Sequence, residues 1–387
     1  MKILVVTGMF PPIRTGTSFY SKNLVDNMVK HGHQVTLVTV VNSDTEEGSY
    51  PYQVVRIPAL HFPMKSYFKH LRFCSLFPCN YISISRLVKE TQAEVILLVN
   101  HYLDIAFPAI YASIRHKIPL IVSVGTQLQS LNPVRNKILN ILDRIICGGA
   151  IYPFCRKIVS WDKEIERYIY DIQSKSTSQK SVIVPFGVNG DISEYKKHEH
   201  NYELHNQILG VGAVIDHRNF LFQVQVFSRL LKYYPSLRLK IIGHQYISAP
   251  VQLVKELGIN NQVEFTGELP HSQVLEELRK SDIHWMMLTS KYKGLGTSTL
   301  EAMLMGVPCF SNVPEGLLGI DQLKNFSNYI YTDGVSIDET VLNVKKILEN
   351  RHLRVTIGQN GKHLVQENMN WDKVVKRMEE VIQGVLR

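Results

Sequence analysis

Residues 291–308, KYKGLGTSTLEAMLMGVP, gather two lysines, three glycines and a single carboxylate where a loop runs into a helix. The apolar run IHWMMLTS ends just before them. STLEAMLMG then has helical character, with Thr297 or Ser298 placed to cap its start and Gly306 and Pro308 to end it. Gly294 and Gly296 let backbone N–H groups approach a ligand closely, and a helix N-terminus favours negative charge, so the turn suits a phosphate. Glu301, expected within the first turn or so, is placed to accept hydrogen bonds from neutral hydroxyls such as those of a ribose. A plainer reading stays open, in which Glu301 complements the helix dipole and the glycines only make a turn. Lys293, eight positions before Glu301, is unexplained by either.

A second loop, GMFPPIRTGTSFY, also joins a strand to a helix, and its Thr15-Gly16-Thr17 would bring backbone N–H groups to a ligand. It is not GxGxxG. The second strand ends in LVTVVNSD without the acidic residue that binds a dinucleotide ribose, which disfavours a nicotinamide cofactor and leaves a plain connecting loop as the alternative. His101, after the apolar run ILLVN, has Asp104 nearby to orient it and is a site candidate; a hydrogen-bonded structural histidine is the competing reading.

The elements that must position these residues are short apolar strands alternating with helices. KILVVTG, a helix carrying Phe19, Leu24, Val25, Met28 and Val29, and QVTLVTV form a first β-loop-α-β unit closed by Gly32. YQVVRIP, AEVILLV, PLIVSVG, KIVSW and SVIVPFG continue it. After a polar stretch at 189–207 the alternation restarts with ILGVGAV, LRLKIIG, QVEFTGELP, IHWMMLTS and PCFSN. Strands that are apolar throughout and separated by helices imply parallel, doubly wound sheets, so the fold class is α/β with two Rossmann-like domains facing a central cleft. The boundaries read as 1–195, 196–365 and a C-terminal amphipathic helix in 366–387 that packs back on the N-terminal domain.

At 387 residues the chain suits two domains, and 45% hydrophobic with 20% charged residues is an ordinary globular balance. No apolar run of membrane-spanning length occurs, and the N-terminal run is strand-length and broken by Pro11-Pro12. A cytoplasmic chain is therefore expected, at the inner face of the membrane if it contacts one. Five scattered cysteines without CxxC spacing read as buried thiols rather than metal ligands or disulfides. The net charge of +9 favours an anionic partner without choosing among nucleotide, lipid surface and nucleic acid.

PPIRTGTSFY, VPFGVNGD, GVGAVIDHRNFLFQVQVF, LRLKIIG, VEFTGELP and GLGTSTLEAMLMGVP, in that order, resemble the retaining glycosyltransferases of family 4 (GT4), which have the GT-B fold. The resemblance covers nearly the whole chain and is most specific in its second half. It implies a nucleotide-diphosphate sugar donor held by the C-terminal domain and a glycan or lipid-linked acceptor held by the N-terminal one. No paired carboxylates or metal-ligand cluster stand out in the sequence, so metal-independent chemistry with no other cofactor is expected, and no nucleic-acid partner. Carried over by position, it assigns Glu301 to the donor ribose and Gly294, Leu295, Gly296 and Thr297 to the sugar and diphosphate. Arg218 takes the place of a phosphate-binding lysine, Gly16 that of a glycine near the diphosphate, while Gly243 and residues 266–270, with Leu269, border the base. Three positions depart from the pattern. Lys293 stands where a second glutamate is usual, Ala213 where an arginine is usual, and Gly125 where a histidine is common, leaving Asn100 and His101 as the nearest polar residues. A cation at 293 would suit an acidic sugar or add grip on the diphosphate.

The segment HFPMKSYFKHLRFCSLF, residues 61–77, mixes aromatic and basic side chains in the manner of a peripheral membrane surface, with an ordinary helix as the alternative. The expected activity is sugar transfer with retention, in cell-surface polysaccharide or glycolipid synthesis. A nucleotide-sugar epimerase on the same architecture and a catalytically weak nucleotide-sugar-binding protein are the alternatives.

Overall fold

A computed structural model of the chain describes residues 1–13, 15–41, 49–61, 72–100, 104–127, 130, 132–172, 180–188, 201–286, 294–319 and 323–387. These form two compact units: Met1–Gly187 together with Trp371–Arg387, and Val188–Asn370.

In the first unit the strands are β1 (Lys2–Thr7), β2 (Gln34–Val40), β3 (Gln53–Ile57), β4 (Leu60–His61), β5 (Arg72–Phe73), β6 (Val95–Val99), β7 (Leu120–Val124), β8 (Lys157–Ser160) and β9 (Ser181–Ile183). The helices are α1 (Gly16–Lys30), α2 (Pro78–Thr91), α3 (Ala106–His116), α4 (Pro133–Asp143) and α5 (Lys163–Ile172), with a π-helix at Arg144–Ile151 continuing from α4. A seven-stranded sheet runs β3-β2-β1-β6-β7-β8-β9, every pair parallel. β4 and β5 pair antiparallel as a separate two-stranded sheet. Every residue of β6 and β7 is buried, as VILLV and LIVSV demand of strands covered on both faces.

The second unit contains β10 (Gln207–Val211), α6 (Phe220–Leu230), β11 (Arg238–Ile242), α7 (Ala249–Glu256), β12 (Val263–Gly267), α8 (His271–Arg279), β13 (Ile283–Met286), α9 (Thr297–Leu304), β14 (Cys309–Ser311), β15 (Ile330–Tyr331), α10 (Ile337–Glu349) and α11 (Arg351–Asn368). Its sheet order is β12-β11-β10-β13-β14-β15, also parallel throughout. In each sheet the winding reverses direction beside the first strand, at β1/β6 and at β10/β13. The loops leaving β1 and β10 therefore sit at the topological switch points, where open α/β sheets bind ligands.

The last helix, α12 (Trp371–Leu386), belongs to the first unit. Trp371, Val374, Val375, Met378 and Ile382 recur at helical spacing and are buried, so the stripe legible in WDKVVKRMEEVIQGVLR is the face that packs. Glu379, half-buried on the flank of this stripe, lies 3.1 Å from His31 and 2.7 Å from His33, at the end of α1 and just beyond it. Gly187 is required where the chain meets this helix, because a Cβ there would fall 2.8 Å from the Trp371 ring.

The expected strands and the observed ones agree closely in position, with β2 matching to the residue. The chain leaves the first unit at Gly187 and regains it at Trp371, against sequence boundaries of 195 and 365. Cys79 is exposed, which corrects the expectation of five buried thiols; the other four are buried and all five are free.

Candidate functional site

β10 ends at Val211, and the next residue, Gly212, has φ +147, a conformation that favours glycine. The chain then turns through Asp216–Arg218 into α6, folding Arg218 back over its own loop: a Cβ on Gly212 would lie 2.8 Å from Arg218 Nη1. Gly243, after β11, also has φ +147, and a Cβ on it would fall 2.1 Å from the Gly212 carbonyl oxygen. The two glycines thus let adjacent backbones touch at the carboxyl ends of β10 and β11. A Cβ on Gly296 would lie 3.6 Å from the same Arg218 Nη1. Arg218, Gly212, Gly243 and Gly296 are in this way one contiguous surface, half-buried at the arginine.

Gly296 is the N-cap of α9 and no side chain bonds at that cap. This corrects the expectation that Thr297 or Ser298 caps the helix. Thr297 is instead its first residue and exposed, while the Ser298 hydroxyl donates to the Val211 carbonyl oxygen at 3.3 Å, pinning the helix to the end of β10. Glu301 accordingly lies in the second turn rather than the first. The helix dipole, strongest in the first turn, is the weaker explanation for it. Leu295 is buried, Leu269 half-buried, and Gly294 has φ +158.

Glu301 has a partner that its sequence neighbourhood does not show: Oε1 lies 2.9 Å from Nε2 of His271, the first residue of α8. The glutamate side chain is 14% exposed and the histidine 49%. A second missed histidine, His284 on β13, is fully buried, with Nε2 3.4 Å from the Thr299 hydroxyl. Burial, and then the Arg218 charge, push its pKa down to about 3, so it is neutral and adds no positive charge beside the arginine. His217 is likewise held at about 4 by burial and by Arg218.

In the first unit Gly16 opens α1. Thr15 caps that helix, its hydroxyl accepting from Ser18 N at 3.2 Å, and a Cβ on Gly16 would meet nothing within 4 Å. Gly125, at the end of β7, has a steric cause: a Cβ there would sit 2.2 Å from the Trp161 ring. Trp161 is fixed by its Nε1, which donates to Ser123 Oγ at 3.0 Å, and by stacking on Tyr20. A histidine at 125 is excluded by this tryptophan. Asn100 is buried with φ 72. His101 and Lys293 lie outside the described residues, as do residues 62–71 of the aromatic and basic segment. Among the described residues no group of three or more His, Cys, Asp or Glu is placed to hold a metal ion, and no helix is long and apolar enough to cross a membrane.

Comparison with known proteins agrees with this architecture. A profile described as Glycosyl transferases group 1 matches residues 191–364, and one described as Glycosyltransferase Family 4 matches residues 14–191. An uncharacterized glycosyltransferase of Methanocaldococcus jannaschii is 23% identical over 97% of this chain and 96% of its own length. Sucrose-phosphate synthase from Thermosynechococcus elongatus superposes with a TM-score of 0.75 at 15% identity, covering 100% of this chain and 99% of that one. Anabaena HepE in complex with UDP and glucose gives 0.72 at 12% identity, with 99% of each chain covered. The chain belongs to the family-4 (group 1) glycosyltransferases, transferase enzymes with the GT-B fold.

Proposed function

We propose that this enzyme moves a sugar from a nucleotide-diphosphate donor to a glycan or lipid-linked acceptor with retention of configuration, without a metal, in the synthesis of a cell-surface polysaccharide or glycolipid. The observation that carries the reading is the Arg218 guanidinium lying against Gly296 at the start of α9. Two positive features, a fixed cation and a helix N-terminus, converge where a diphosphate would rest. UDP bound to HepE, a protein of the same fold, supports a nucleotide donor.

In this reading the bond between the anomeric carbon and the diphosphate oxygen breaks, and negative charge grows on the leaving diphosphate. Arg218 and the backbone N–H groups at 296–298 stabilise that charge, and preorganised donors of this kind supply several kcal/mol. A phosphate oxygen takes the acceptor hydroxyl's proton. Glu301 holds the ribose hydroxyls, Gly243, Leu269 and the rest of 266–270 border the base, and Gly294, Leu295 and Thr297 face sugar and diphosphate. Lys293 selects an acidic sugar or adds to the grip on the diphosphate. The enzyme would work at the cytoplasmic face of a membrane.

Mass spectrometry of donors that protect the purified protein, followed by turnover assays with and without acceptors, tests the reading. Nucleoside diphosphate released in step with glycosylated acceptor is expected, and Arg218→Ala should lower kcat by about a hundredfold or more. Interconversion of nucleotide sugars without acceptor would establish an epimerase instead. Unaltered kcat in Arg218→Ala would remove the diphosphate assignment.

A further inference from the structure

Exposed apolar side chains are ordinary when scattered singly and informative when aligned. On α4 and the π-helix that continues it they are aligned. Val134 is 71% exposed, Ile138 53%, Ile141 50%, Leu142 45% and Ile145 63%. Positions 134, 138, 141 and 145 recur every three or four residues and form one stripe. Arg135, Lys137 and Arg144 are also exposed. At about 100° per residue, Arg135 falls on one flank of the stripe and Lys137 with Arg144 on the other. The segment's one acidic residue, Asp143, lies on the opposite side and is 1% exposed.

We infer that residues 133–146 are a docking face for an anionic lipid surface, lying in the plane of the headgroups with the stripe toward the acyl chains. Helices with an apolar face bordered by cations bind this way, the apolar side entering the boundary region and the cations meeting anionic headgroups. Charge decides for lipid over a second copy of the chain, because self-pairing along this stripe would bring like charges together on both flanks with no exposed acid in the segment to compensate. The helix is also formed in advance. Asn132 caps it, its Oδ1 accepting from Arg135 N at 3.1 Å, and Pro133 follows at the first position. Binding would require no coil-to-helix transition. The face is independent of the nucleotide-sugar reading and answers to a different assay.

The full-length protein is sedimented, without any nucleotide, with vesicles of phosphatidylcholine alone and with vesicles containing one third phosphatidylglycerol. Retention on the anionic vesicles only, weakening with added salt, is expected. Replacing Arg135, Lys137 and Arg144 together by Gln should weaken it roughly a hundredfold, since each cation near such a surface is worth about fivefold. Ile138→Ser with Ile141→Ser should weaken it at least about tenfold. The glutamine variant keeps the test decisive if the serine variant misfolds. The inference is overturned if the wild type does not sediment with anionic vesicles or if neither variant changes the retention. It is also overturned if the protein is a dimer in sedimentation velocity that the serine variant dissociates.

Discussion

The Nε2 atom of His271 stands 2.9 Å from Oε1 of Glu301, joining the first residue of α8 to the second turn of α9. The carboxylate assigned to the donor ribose is therefore already held in the free protein by a half-exposed histidine. Removing the imidazole leaves Glu301 free to rotate. His271→Ala should raise the donor KM about three- to tenfold with kcat nearly unchanged, the loss of one partly exposed charged hydrogen bond. His271→Gln, which retains an N–H donor, should restore part of it. Steady-state kinetics at varied donor reads the outcome, and a fall in kcat at constant KM would contradict it.

Gly125 and Trp161 make a second pair whose members explain each other. A methyl group at 125 would collide with the indole at 2.2 Å, so Gly125→Ala should cost about 1–3 kcal/mol. In a Trp161→Ala background the same change should cost almost nothing. Chemical denaturation of the four members of this double-mutant cycle gives the coupling directly. Additive losses would mean the backbone yields in some other way.

The buried neutral His284 predicts a pH dependence of stability. Its folded pKa, about 3, lies below the ordinary 6.5, so between those values the unfolded chain binds the extra proton. Its contribution is complete above pH 6.5 and is lost as the pH falls toward 3, at up to about 1.4 kcal/mol per pH unit. Asp143 and Asp162, both raised to about 6 by burial, tilt the curve the opposite way in the overlapping acidic range. The useful quantity is thus the difference between wild type and His284→Asn. Their stability difference, measured by urea unfolding at a series of pH values, should shrink from pH 6.5 to pH 4. A constant difference would show that His284 protonates as readily in the fold as out of it.

The legible features in the sequence were those written in consecutive residues. VILLV and LIVSV announce buried parallel strands because short, β-branched, almost wholly apolar runs between helical segments fit strands covered on both faces, and the glycines of GLGTS mark a close backbone approach in the chain itself. Arg218 was reachable through resemblance. The His271–Glu301 pair was not, since thirty residues and a strand separate its members, and only the adjacency of the ends of two helices brings them together. The same holds for Trp161 at Gly125. Nor does periodicity tell which way a stripe faces: PVRNKILNILDRII and WDKVVKRMEEVIQGVLR have similar amphipathic spacing, yet the first turns its stripe outward and the second buries it.

Because α12 completes the first unit, that unit is built from both ends of the chain while residues 188–370 form an unbroken stretch between them. Synthesis thus finishes the second unit before the ribosome releases the segment that the first one needs. The N-terminal sheet, though translated earliest, lacks the Trp371 ring against Tyr20 and the Glu379 carboxylate at the end of α1 until residues 371–379 have been made. Domains made from one continuous segment fold as they emerge. For this chain the order of completion is the reverse of the order of translation, and a stop codon at 370 would damage the unit encoded first.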